Sequence, residues 1–126
     1  MNTLFFFSNR DNLSVALQFF GFVSTGYALQ LIDVDGMTPL FVPPASGVNT
    51  DIVPDLIDLP TPVSANNGRF LELTISFIGS DPINFPNYHF DLELHQNGIF
   101  IGKDSRSGQL TGSDQRETVT VRLQAI

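Results

Sequence analysis

Three stretches of the chain alternate apolar and polar residues with a period of two, and no other feature narrows the fold as far. In 69–79, Leu71, Leu73, Ile75 and Phe77 share one side, with Glu72, Thr74 and Ser76 on the other. In 88–95, Tyr88, Phe90, Leu92 and Leu94 oppose His89, Asp91, Glu93 and His95. In 117–125, Val119, Val121, Leu123 and Ala125 oppose Thr118, Thr120, Arg122 and Gln124. Successive side chains on a strand point to opposite faces, so each stretch buries one face and wets the other. Half-buried strands of this kind belong to antiparallel sheets, whereas the strands of a parallel α/β core are apolar throughout. Nowhere do ten residues hold a helical period.

The remaining strands are read from turns and apolar runs. Segment 13–22 places Leu13, Val15, Leu17 and Phe19 on one face, with Phe20 and Phe22 on the other. Asp35-Gly36 and Asn97-Gly98 are two-residue hairpin signals, predicting strands at 28–34, 37–42 and 99–103 around them. A short edge strand fits 4–8. The sum is about eight strands, and the expected fold is all-β: an antiparallel β-sandwich forming one domain over 1–126. A jelly roll is one topology open to it. A chain of 126 residues is long enough to close one core without staples. No internal repeat and no domain boundary stand out. Segment 104–115, rich in Ser, Gly, Asp and Gln, reads as a solvated loop tip.

Segment 43–68 departs from the scheme. It holds Pro43, Pro44, Pro54, Pro60 and Pro62, yet also Val48, Ile52, Val53, Leu56, Ile57, Leu59 and Val63. Structureless loops of this length are uncommon in compact domains. Proline favours extended chain with few ladder bonds. The expectation is a long apolar arm, with one helical turn available within 51–59.

Composition narrows function mostly by exclusion. A formal charge of −7 repels phosphate backbones, so no nucleic-acid partner is expected. Without Cys there are no disulfides, thiolate metal sites or cysteine nucleophiles. The N-terminal apolar run, Leu4 to Phe7, is too short for a secretory signal, and no later run approaches a membrane span. The sequence therefore reads as soluble, with no membrane partner. Charged residues are 15% of the chain, against about 25% in an average domain. Lys occurs once and Glu three times, the two residues most depleted from protein interfaces, while Asp occurs ten times.

The motifs with chemical potential are few. His89-x-Asp91-x-Glu93-x-His95 sets four metal-capable side chains on one strand face. Residues two apart on a strand are nearly 7 Å apart, so four cannot converge on one ion, and a polar solvent face is the plainer reading. A metal-dependent enzyme using His89 and Asp91 is the third-ranked function. Asp33-x-Asp35-Gly36 resembles the start of a calcium loop but has Pro44 where a bidentate Glu is needed. There is no Gly-x-Ser-x-Gly elbow. No catalytic residue, metal ligand or cofactor is assigned, and no enzymatic activity is expected.

Surplus phenylalanine points elsewhere. Phe5, Phe6 and Phe7 cannot all face one core from a strand, nor can Phe19 and Phe20 together. Either they cover a second packed layer within the monomer or they form a subunit interface; on the second reading, together with the arm, they nominate Phe5, Phe6, Phe20, Pro43, Pro44, Ile52, Val53, Leu56 and Ile57. A Lys-poor, amide-rich texture, the arm 43–68, the hairpin 95–99 and a strand running to Ile126 resemble the small acidic β-sandwich proteins of bacteriophage particles, the capsid cement or decoration proteins. That resemblance implies a virion location, a homo-oligomer (a trimer favoured) or docking on a capsid-like assembly, and no catalysis. The alternative is a carbohydrate- or receptor-binding module of a phage tail or bacterial surface. The segments 23–27 and 104–115, with Tyr27, would then line its site.

Overall fold

The computed structural model describes residues 1–20, 23–49, 54–79, 83–84, 86–111 and 114–126. It is a two-layer β-sandwich of nine strands: β1 (Asn2–Phe6), β2 (Leu13–Phe20), β3 (Val23–Ile32), β4 (Ala45–Asn49), β5 (Asp55–Asp58), β6 (Phe70–Gly79), β7 (Asn87–Gln96), β8 (Ile99–Gln109) and β9 (Asp114–Ala125). One sheet has the order β1-β9-β6-β3-β4, the other β5-β2-β7-β8. All pairings are antiparallel except β1 with β9.

Alternation sets what lies between the layers. Leu71, Leu73, Ile75 and Phe77 of β6 are fully buried, as are Phe90, Leu92 and Leu94 of β7 and Val121 and Leu123 of β9. Leu13, Val15, Leu17 and Phe19 of β2, beside β7 in the second sheet, complete this interior. Each such side chain contributes about 1.5–3 kcal/mol by leaving water, so this interior dominates stability.

Several sequence expectations are corrected. The stretch 37–42 forms no strand; only the bridge Ile32–Pro39 pairs there. Gly36, but not Asp35, has positive φ, and the turn is closed by Gly36 N–H donating to the Asp33 carbonyl (2.9 Å). Segment 43–68 is no detached arm. β4 pairs with β3 from Ala45 to Asn49, and β5 pairs with β2 from Asp55 to Asp58. The helical turn expected within 51–59 is not found there among the described residues, since Asp55–Asp58 is strand and 51–53 lie outside them; a 3-10 turn stands instead at Val63–Asn66, where Val63 and Asn66 are buried. Nor is 104–115 a loop tip, because β8 runs on to Gln109 with Asp104 buried. Asn97 and Gly98 both have positive φ, as a two-residue hairpin between twisted strands requires. A jelly roll would pair its outermost strands, β2 with β9; here β2 lies between β5 and β7.

The connectivity divides into two units built alike. In β2–β5 the outer strands pair with each other in one sheet and the inner strands pair in the other; β6–β9 do the same with the sheets exchanged. Strand β1 and the link 59–69 lie outside this scheme.

Candidate functional site

The nominated interface residues do not converge on one patch. Phe6 is fully buried in the core of its own chain, because Leu4 and Phe6 face inward from β1 and Phe5 outward. An interface role for Phe6 is thereby corrected. Phe20 projects from the outer face of the β5-β2-β7-β8 sheet, its ring 5.4 Å from that of His89. Pro43 and Pro44 are exposed just before β4. Leu56 is exposed on β5, while Ile57 beside it is half-buried against the core. Ile52 and Val53 lie outside the described residues. Phe5 stands on β1 at the opposite end of its sheet from β4; the exposed apolar residues that remain lie along the edge strands, Val48 on the outer face of β4 in one sheet and Leu56 on the outer face of β5 in the other, with Val42, Pro43 and Pro44 exposed before β4.

The densest polar cluster lies on the outer face of β7 and β8, where the sequence placed His89, Asp91, Glu93 and His95. Asp91 is its centre and is 7% exposed. A carboxylate only accepts, so His89 Nε2–H donates to Asp91 Oδ1 (2.8 Å), leaving Nδ1 to accept from Ser107 Oγ (2.6 Å). Ser105 Oγ also donates to Asp91 Oδ1 (2.6 Å), and Lys103 Nζ stands 3.8 Å from Oδ2. Farther along, His95 Nε2 pairs with Glu93 Oε1 (2.9 Å), and its ring meets Phe100 edge-on. Histidine and carboxylate thus spend themselves on each other in i, i+2 pairs. Among the described residues, no three His, Asp or Glu side chains come together to hold a metal ion.

Two further constellations, unread in the sequence, clasp the layers. The Tyr27 hydroxyl of β3 donates to Asp55 Oδ2 of β5 in the other sheet (2.9 Å). The Tyr88 hydroxyl of β7 donates to Glu117 Oε2 of β9, again across the sandwich (2.7 Å). Each ring lies across the glycine opposite it on the neighbouring strand, Gly47 for Tyr27 and Gly108 for Tyr88. Burial, the hydrogen bond to the carboxylate and the carboxylate's charge push both phenols up to about 12. Tyr27, which the carbohydrate reading set in a site-lining loop at 23–27, is therefore a buried clasp residue within β3. Asp104 anchors a third network on the inner side of β8: Asn2 Nδ2 donates to its Oδ1 (2.6 Å) and Arg106 Nη2 lies 3.3 Å from its Oδ2.

No helix among the described residues is long and apolar enough to cross a membrane. Compared with protein-family models, with curated proteins and with solved structures, the chain matches none.

Proposed function

We propose that the chain is a non-enzymatic structural and interaction protein, a virion component of the cement or decoration type that works as a homo-oligomer or docked on a larger assembly. The observation that supports this reading is the apolar β4/β5 side. Val42, Val48 and Leu56 are 84%, 72% and 71% exposed, beside the exposed prolines 43 and 44. Isolated exposed apolar residues are ordinary, but large ones set along both edge strands of a small domain, Val48 on the outer face of one sheet and Leu56 on the outer face of the other, suit a partner that wraps this edge. Proline there lowers the entropy lost when the segment is fixed by a partner. The polar cluster around Asp91 is internally satisfied and asks for no substrate.

Light scattering across a concentration series tests the reading. A trimer or larger oligomer is expected for the native chain, and a folded monomer for Val48→Asp with Leu56→Asp. A native chain monomeric throughout, and also unable to bind any assembly through this side, sinks the proposal.

A further inference from the structure

The two four-stranded units share more than connectivity. Within the first, Ser14 lies opposite Asp58, Val15 opposite Ile57, Ala16 opposite Leu56 and Leu17 opposite Asp55. Within the second, Glu72 lies opposite Thr120, Leu73 opposite Val119, Thr74 opposite Thr118 and Ile75 opposite Glu117. One constant shift carries Leu13–Leu17 onto Leu71–Ile75, and another carries Asp55–Asp58 onto Glu117–Thr120, with every pairing preserved. The inner strands agree as well. Tyr27 opposes Gly47 and Ala28 opposes Ser46, while Tyr88 opposes Gly108 and His89 opposes Ser107.

These matched positions carry matched residues. Leu13 and Leu71, Phe19 and Phe77, Tyr27 and Tyr88, Leu31 and Leu92, Ser46 and Ser107, and Gly47 and Gly108 are identical pairs. Phe19 stacks on Tyr27 and Phe77 on Tyr88. Each tyrosine ends on an acid at the same place in its unit, Asp55 or Glu117. Register in one strand pair is fixed by a single choice, since the side-chain period is two. Two separate pairs with the same registers, plus a three-residue clasp built twice, exceed what sandwich packing demands. Nothing in layer packing requires a tyrosine opposite a glycine at the same step of both units.

We infer that the chain is a tandem fusion of two copies of one four-stranded unit, each presenting an inner face whose fitting partner is another copy of the same unit. The sandwich is an intramolecular pair of like units. The joints between copies have drifted: Tyr27 lies opposite Ile75, but Leu17, the equivalent of Ile75, lies opposite Leu92, four residues beyond Tyr88. The outer faces have drifted further. Ala28 and Gln30 of the first copy stand where His89 and Asp91 of the second build the polar cluster, so the unit's strand pairing can be built without those residue types.

The test exchanges equivalent core residues between copies in the full chain. One variant combines Val15→Leu, Leu17→Ile and Leu29→Phe with Leu73→Val, Ile75→Leu and Phe90→Leu. A control of identical composition combines Val15→Phe and Leu29→Ile with the same three changes in the second copy. If the copies are equivalent, the matched exchange melts within about 5 °C of the native chain and the control at least ~10 °C lower. A matched exchange that melts as low as the control, or fails to fold alongside it, overturns the inference.

Discussion

The two tyrosines show how much one side chain decides when it spans both layers. Each fills a place that a Cβ on the opposing glycine would take, and each satisfies a carboxylate that would otherwise face the seam alone. Tyr88→Phe removes the donor and keeps the ring, so the expected loss is about 1–2 kcal/mol, read from denaturant midpoints. The clasps also set an alkaline limit. Both phenols ionise near 12 in the fold, against 10.0 as the ordinary value. Their stabilisation is complete below pH 10 and is lost as pH rises through about 12. With two Tyr and no Trp, an ultraviolet titration reads both phenols directly; ionisation near pH 10 in the folded chain contradicts the clasps. Asp91 is the third deciding residue. Asp91→Ala strands His89, Ser105 and Lys103 without their shared acceptor and should cost ~1–3 kcal/mol, whereas Glu93→Ala, which removes a more exposed carboxylate, should cost under about 1 kcal/mol.

At the scale of strands, legibility tracked the contrast between faces. β6, β7 and β9 alternate apolar with polar residues and were readable in both position and facing. β8 was read only to its fifth residue. Its later inward positions are Asp104, Arg106 and Gly108, so no apolar period marks them. β4 and β5 were hidden by the prolines around them, yet the strands themselves, 45–49 and 55–58, contain none. The clasps were illegible because a tyrosine opposite a glycine is a cross-strand relation, which no window along the chain contains. Gly108 is where this relation is most constrained: an added Cβ would overlap the Tyr88 hydroxyl and stand 2.6 Å from its Cζ. Gly108→Ala should therefore cost about 1–3 kcal/mol, and much less when combined with Tyr88→Leu. Equal costs in the two backgrounds would show that the ring does not lie across the glycine.

At the scale of the whole molecule, the repeat escaped sequence reading for a related reason. The identical positions are scattered over strands joined by loops of unequal length, and only Ser46-Gly47 and Ser107-Gly108 are consecutive. Only the strand registers bring them into line. The polar cluster and the apolar side belong to different copies: His89 and Asp91 to the second, Val48 and Leu56 to the first. A fused pair need not keep both halves alike, and assembly through one copy would leave the other face free. One strand stands apart from this economy. β1 lies parallel to β9, with Asn2 beside Val121 and Phe6 beside Ala125. During synthesis β1 is therefore made well before β9, its partner in the sheet. Until then its backbone lacks a sheet partner, and closing so long a loop makes this a slow contact to form. A nascent chain halted before β9 should accordingly expose its leading strand to chaperones, although most of its core partners have already been made.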